Sequence, residues 1–287
     1  MSDTARRNLI LILSVFSAST SCLFARWSTC PSAVLACYRM LLTVGVMTPY
    51  MLLRHRSELF RISRRELLLC LVSGVFLGLH FTCYFASVNR TSIAAAQTLT
   101  NLEVFFVALF SYLLWKERIT PLGWIGIIVI FGGGVIITLN DFGAGNALSG
   151  DVLAVLAALT MAIYTMIGRR NRRNMSTLTY TYWVYTASAV TLCLLLLFGG
   201  MPFGGYDRVN WLYAFGLMVM CTFLGHSVFS WSLRYFSASH VSTVKLLGPL
   251  FCVFLGLVFL GEVPTFVTLL GCLVLIGGTV VYIRSGN

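Results

Sequence analysis

Long apolar runs, separated by short polar connections, cover most of the 287-residue chain. A helix that crosses the hydrocarbon core of a bilayer needs about 20 mostly apolar residues. Runs of this kind cover residues 8–26, 31–53, 66–87, 91–115, 120–139, 148–168, 177–199, 209–235, 238–260 and 265–284. They are continuous and rich in Leu, Ile and Val, whereas membrane strands alternate between apolar and polar positions. The pattern therefore predicts an all-α integral membrane protein with ten transmembrane helices.

The first run has some features of a secretory signal peptide, because Arg6 and Arg7 precede an apolar stretch. However, residues 17–20 offer no convincing cleavage pattern, and further spans follow along the whole chain. The run is therefore predicted to stay in the protein as the first transmembrane helix.

Composition agrees with a membrane protein, since 58% of the residues are hydrophobic and only 10% are charged. Soluble domains carry about 25% charged residues, so an ordinary soluble enzyme is excluded. The net charge of +11 comes from basic residues in short clusters between the apolar runs, and these clusters form no nucleic-acid-binding face. No nucleic acid partner is expected.

The basic residues predict the orientation in the membrane. Only Arg26, Arg90 and Arg208 fall in connections on one side, and most other basic residues between the spans fall on the opposite side. Cytoplasmic connections carry the excess of Lys and Arg. We therefore expect a multi-pass protein of the cell (inner) membrane with both termini in the cytoplasm.

The nine cysteines lie mostly inside the spans and contain no CxxC pair, so they are interpreted as small helix-packing residues. No disulfide, metal site or cofactor is predicted. The glycine runs at 132–134 and 277–278 lie within spans and lack the Lys-Ser/Thr of a phosphate loop. Close helix packing explains them, as it explains Gly74 and Gly78.

The chain also contains an internal repeat. A shift of 145 residues aligns residues 87–138 with residues 232–283 without gaps. The identical pairs include Glu117/Glu262, Thr120/Thr265 and Gly126/Gly271. The threonines are interpreted as caps of the following helices, and the glutamates as turn residues whose negative charge favours the N-termini of those helices. We predict two five-helix halves, 1–145 and 146–287, which are inverted because five is odd, as in many secondary transporters.

These features resemble the drug/metabolite transporter superfamily, in particular its EamA-type members with ten spans. The resemblance rests on Arg39, the segment 113–118, its mate 257–262, and Pro249 with the apolar run after it. Many family members carry Glu before that proline, where this chain has Gly248. The resemblance implies a carrier, often an exporter of amino acids, nucleobase-like metabolites or drugs. It also implies a central cavity lined by the first, third, fourth, sixth, eighth and ninth spans.

Three ionisable residues lie well inside predicted spans: Arg39, Glu103 and Lys245. Each costs about 2.5–3.5 kcal/mol near a helix centre, so they should face the bundle interior. The repeat places Glu103 and Lys245 on equivalent helix faces. They are predicted either to line the cavity and hold the charged ends of a substrate, the interpretation we favour, or to form a buried ion pair. Glu103 is in addition the candidate for proton coupling.

Arg39 lies near the outer half of the second span, where it can snorkel toward headgroups or brace a neighbouring carbonyl. Because the resemblance implies an Arg here across different substrates, its expected role is structural or gating.

Other polar and aromatic residues mark helices with a polar side. The remaining candidates for substrate binding are Thr100, His80, Tyr84, Tyr164, His226, Ser242 and Trp231. Each of them taken singly is more typical of a hydrogen bond or packing contact between helices.

The repeat and the buried charges predict a secondary active transporter that exports a small amphipathic metabolite by alternating access. Because no nucleotide-binding loop is present, transport must run on a gradient or by exchange. The alternatives are a uniporter or channel-like permease and, more remotely, an intramembrane enzyme, for which no HExxH motif exists. The expected partners are the substrate, the lipid bilayer and a proton or counter-substrate. A monomer is expected, because both halves lie in one chain.

Overall fold

The computed structural model describes residues 3–116, 119–140, 145–171, 175–232, 235–236, 244–245 and 247–285. In this part of the chain all regular secondary structure is helical. Nine of the described helical segments are long and apolar enough to cross a membrane, and Leu247–Leu260 is a shorter apolar helix. The prediction of an all-α membrane protein with about ten spans is confirmed.

The helices follow one another along the chain with short connections. They are α1 (Asp3–Ser19), α2 (Ser21–Trp27), α3 (Ser32–Arg54), α4 (Arg56–Phe60), α5 (Arg64–Val88), α6 (Ile93–Thr100), α7 (Glu103–Trp115), α8 (Pro121–Asn140), α9 (Ala147–Asn171), α10 (Thr177–Phe198), α11 (Val209–Gly216), a π-helix (Leu217–Ser227), α12 (Val228–Ser232), α13 (Leu247–Leu260) and α14 (Phe266–Arg284).

Three predicted spans are discontinuous, which the apolar runs did not indicate. The regular α-helix is interrupted by a turn at Thr20 between α1 and α2, and by a turn at residues 101–102 between α6 and α7. These residues keep right-handed helical dihedral angles, and we call the two interruptions breaks. The eighth span contains the 11-residue π-helix. This geometry is rare in proteins overall, and where it occurs it is often at a functional site. These irregular segments border the cavity described below.

Hydroxyl side chains begin several of the helices. Ser63, Ser92, Thr120, Ser176 and Thr265 each accept a hydrogen bond from the backbone amide three residues later, at 3.1–3.2 Å. Such N-caps satisfy amides that have no partner within the helix. The caps predicted at Thr120 and Thr265 are confirmed.

Glycines allow the closest helix contacts. Gly126 and Gly133 of α8 meet Gly271 and Gly278 of α14, and an added Cβ on any of the four would lie 2.6–2.7 Å from an atom of the opposite helix. Gly74 of α5 meets α10 in the same way, since its Cβ would lie 2.5 Å from the carbonyl oxygen of Val184. The predicted close packing is confirmed for Gly74, Gly133 and Gly278. It is wrong for Gly132 and Gly277, which have open space around them.

The outside of the bundle is apolar. Ile128, Leu197 and Leu273 are 68%, 72% and 62% exposed. A soluble protein rarely exposes so much apolar surface, whereas lipid tails accommodate it. Inside, Cys37, Phe85 and Val184 belong to a core cluster that joins α3, α5 and α10.

Candidate functional site

A cavity of about 120 Å³ lies inside the bundle, between the broken helices. Its walls come from the first, second, third, fourth, sixth, eighth and ninth predicted spans. Six of these are the spans that the family resemblance implies, and the second span is added because Arg39 reaches the wall. Most of the predicted site residues meet here: Arg39, Glu103, Lys245, Thr100, His80, Tyr84 and His226.

Two other predicted site residues, both described, are not brought to this wall. Tyr164 packs against the buried core, and the ring of Trp231 lies 4.9 Å from that of Tyr235. Both belong to the described part of the chain, and neither lines the cavity. Ser242 lies outside the described residues.

Glu103 owes its position to the break in the fourth span. It occupies the first turn of α7, directly after the turn at residues 101–102. Thr165 of α9 donates a hydrogen bond of 2.7 Å to Glu103 Oε1. The break therefore converts a mid-span acid into a helix-terminal one that faces the cavity.

Lys245 lines the cavity from the ninth span, and its Nζ lies 5.7 Å from the ring centroid of Phe229. Both Lys245 and Glu103 are described, and their charged groups do not come within the 4.0 Å of an ion pair. The closed Glu103–Lys245 pair, one of the two predicted arrangements, is absent from this conformation.

Arg39 is buried, with 2% of its surface exposed, so it does not snorkel toward headgroups. Its Nε donates to the Thr222 hydroxyl at 3.1 Å, and its guanidinium carbon lies 4.1 Å from the ring centroid of Phe81. The bracing contact is thus made with a hydroxyl and an aromatic ring rather than with a carbonyl. Its inward position agrees with the prediction for ionisable residues within spans, whereas its partners Thr222 and Phe81 were not predicted.

The third span contributes a hydrogen-bonded wall. Tyr84 donates to Gln97 Oε1 at 2.8 Å, and the Ser21 hydroxyl lies 3.4 Å from the Tyr84 hydroxyl. His80 Nδ1 lies 2.9 Å from the carbonyl oxygen of Ala157. A carbonyl only accepts, so the ring proton is on Nδ1. These bonds fix the rings of His80 and Tyr84 against three other spans.

The π-helix shapes the opposite wall. Its residues five apart are one turn apart, so Cys221 and His226 lie above one another and both line the cavity. Thr222 on the same segment accepts the bond from Arg39. Sequence inspection missed Cys221, and also Ser19 and Ser21 of the first span, although a Ser/Thr cluster inside an apolar run was a usable signal.

A second charged group lies at the end of the bundle that the charge pattern assigns to the outside. Arg26 and Glu262 form an ion pair of 3.0 Å, and Glu262 Oε1 accepts a 2.6 Å bond from the Ile93 amide. Arg26 also donates to the Thr91 carbonyl at 3.1 Å. We call Arg26, Thr91, Ile93 and Glu262 the outer latch.

The outer latch corrects the interpretation of Glu262. This residue was expected to favour the N-terminus of the helix that follows it, α14, yet it satisfies the first amide of α6 in the other half of the chain. Gly261, at φ +64°, turns the chain after α13 and directs Glu262 away from α14. Glu117, its mate in the repeat, lies outside the described residues.

Known proteins are similar to this chain in sequence and in fold. The model of the EamA-like transporter family matches residues 6–139 and again residues 148–284. The Bacillus subtilis protein named uncharacterized transporter YxxF is 28% identical over 219 residues, which are 75% of this chain and 70% of that protein. The pseudopaline exporter CntI of Pseudomonas aeruginosa is 25% identical over 281 residues, 96% of this chain and 94% of that one.

A solved crystal structure has the same fold. It aligns with a TM-score of 0.66 over 97% of both chains, at 19% sequence identity.

Proposed function

The chain belongs to the EamA-like transporter family, and we propose that it is a secondary carrier that exports a small amphipathic metabolite, such as an amino acid, a nucleobase-like compound or a drug. One observation carries the proposal: seven spans bring charged, polar and aromatic side chains to one cavity inside the bundle. Export is supported by the relative that is named a pseudopaline exporter.

The proposed transport cycle is alternating access between two inverted halves. Geometry repeats at the shift of 145 residues: Lys116 and Gly261 share a positive φ of 53° and 64°, and Thr120 and Thr265 both cap the next helix. Helices of inverted-repeat transporters are often broken at the substrate site. The breaks at Thr20 and residues 101–102 support the same arrangement here.

The outer latch is proposed to hold the outer side closed. It joins the first half, through Arg26 and Ile93, to the second half, through Glu262. Asn210 makes a further connection, because its side chain accepts bonds from the Ser28 hydroxyl and the Thr29 amide at 2.9 and 3.0 Å. Release of a substrate to the outside would require these contacts to separate.

Glu103 is the proposed coupling residue. Its carboxylate faces the cavity, and it has no ion pair with Lys245, which would have held the negative charge in place. A proton and the ammonium group of a substrate can therefore compete for it. Exchange against a counter-substrate is the other form of coupling that this arrangement allows.

The proposed setting is the inner membrane, with both termini in the cytoplasm and one chain as the working unit. The family supports a carrier over an intramembrane enzyme. A uniporter uses the same cavity without coupling, and the behaviour of Glu103 separates the two.

A ligand screen on the purified protein tests the proposed function, because a compound that binds the folded state raises its apparent stability. Amino acids, purines, polyamines and cationic drugs are the compounds to compare, and those that stabilise are then tested for flux in proteoliposomes. We expect saturable flux that related compounds compete for. Stabilising compounds that show no saturable flux would contradict the carrier function.

A further inference from the structure

Arg39 carries a buried charge that the described protein does not neutralise. The side chain is 2% exposed, and among the described residues Nη2 has no hydrogen-bond partner. The two contacts that Arg39 makes, to the Thr222 hydroxyl and the Phe81 ring, supply no negative charge. Arg39 lines the cavity, and its unpartnered Nη2 is itself shielded from solvent, so a small shift of the wall is needed for a ligand to reach this nitrogen.

The groups around the cavity do not supply a counter-charge either. Its ionisable lining residues comprise Arg39, Lys245, His80 and His226 on the basic side and, among carboxylates, Glu103. Arg39 forms no ion pair with Glu103, and Thr165 already donates to one oxygen of that acid. With neutral histidines, the lining therefore has one more positive than negative charge.

A buried guanidinium without a counter-charge is costly, because burial removes its water and the contacts with Thr222 and Phe81 supply no negative charge in return. A purely structural role would favour a neutral residue here. The cost of burying this charge is offset when a negatively charged ligand binds beside the guanidinium. Guanidinium is planar and presents two parallel N–H groups that match the two oxygens of a carboxylate.

We propose that Arg39 is the anion-binding residue of the cavity and that the substrate class is carboxylates on an apolar or aromatic body. This inference rests on the proposed function, since it takes the cavity as the substrate site. Arg39 binds the carboxylate, Phe81, Tyr84 and Phe229 contact the apolar body, and Lys245 adds positive potential. Polyamines and cationic drugs are poor ligands, because they add positive charge to a positive cavity. The role is substrate-selective, in place of the structural or gating role that the resemblance implies.

Benzoate and benzamide form a matched pair of probes, because they share shape and differ in charge. Thermal unfolding of the purified full-length protein is followed with each probe at equal ionic strength. We expect benzoate to raise the unfolding temperature and benzamide to have little effect. Equal shifts with both probes, or no shift with either, would overturn the proposal.

Two variants assign the effect to this side chain. Arg39→Met should fold, with an unfolding temperature no lower than that of the unmodified protein, and should lose the benzoate shift. Arg39→Lys should keep the charge but bind benzoate about tenfold more weakly, because the paired geometry is lost. A benzoate shift that persists in Arg39→Met, or a failure of Arg39→Met to fold, would refute the assignment.

The proposed function fails in a different way. If benzoate raises the unfolding temperature in an Arg39-dependent way but no carboxylate is transported in proteoliposomes, the anion site is supported and the carrier function is excluded. Flux of cationic compounds alone supports the carrier and overturns the anion site.

Discussion

Two regions of this protein, the outer latch and the cavity, bring together charged side chains from different spans, and the partners of these charges differ. At the outer latch, Arg26 and Glu262 neutralise each other at 3.0 Å, and the second oxygen of Glu262 caps α6. In the cavity, Arg39, Glu103 and Lys245 form no ion pair with one another. All five residues belong to the described part of the chain.

The difference separates two uses of charge in a membrane protein. A pair that satisfies itself stabilises one arrangement of the helices and leaves little for a ligand to bind. Charges that have no opposite charge beside them are left available, and a ligand or a proton can then supply the missing interaction. We therefore expect changes at the outer latch to alter stability and conformation, and changes in the cavity to alter binding and transport.

The largest effect is expected from Glu103→Gln. Amide replacement removes the site for a proton, so coupled transport should be lost while the unfolding temperature stays near that of the unmodified protein. Proton-linked flux in proteoliposomes measures this. Thr165→Val is the matched control, because it removes the hydrogen bond to Glu103 and keeps the acid. Unchanged flux and proton stoichiometry in Glu103→Gln would exclude a coupling role.

Two neighbouring glycines of α8 show how much a purely structural change alters stability. In Gly133→Ala the new Cβ would lie 2.6 Å from the Leu275 amide nitrogen, so the two helix backbones must separate, at a cost of about 1–3 kcal/mol. Gly132→Ala meets open space and should be neutral or slightly stabilising. Thermal unfolding compares the two. Equal unfolding temperatures for Gly133→Ala and Gly132→Ala would show that this close contact does not hold α8 and α14 together.

At the outer latch, Glu262→Gln should cost about 1–2 kcal/mol, between the values for surface and buried pairs. The intermediate value follows because the Arg26 and Glu262 side chains remain 29% and 25% exposed and are partly screened by water. A double-mutant cycle with Arg26→Met isolates their interaction. Strictly additive losses of stability would show that the pair contributes nothing.

The smallest effect is expected from Lys245→Met. The side chain is exposed and has no ion pair among the described residues, so folding should be unaffected. Affinity for an anionic ligand such as benzoate should fall by less than in Arg39→Met, and Lys245→Arg should retain it. Unchanged selectivity between benzoate and benzamide in Lys245→Met would remove this residue from substrate recognition.

Much of the fold could be predicted from the sequence, because apolar runs, Thr caps and packed glycines are local signals. The broken helices could not. The break at residues 101–102 and the π-helix leave the apolar run intact, so the hydrophobic pattern carries no sign of them. The cavity residues were predictable as polar groups in apolar spans. The wall position of Arg39 and the partner of Glu262 depend on helices far apart in the chain.

Alternation between the two halves is the central claim, and cross-linking the outer latch tests it most directly. Cysteines at positions 26 and 262 can be joined by a reversible bifunctional thiosulfonate, since most native cysteines are buried. The two single-cysteine variants serve as controls, and the flux assayed is that of a compound that stabilises the purified protein. We predict that flux stops on cross-linking and returns on reduction. Flux that continues with the latch cross-linked would contradict the account.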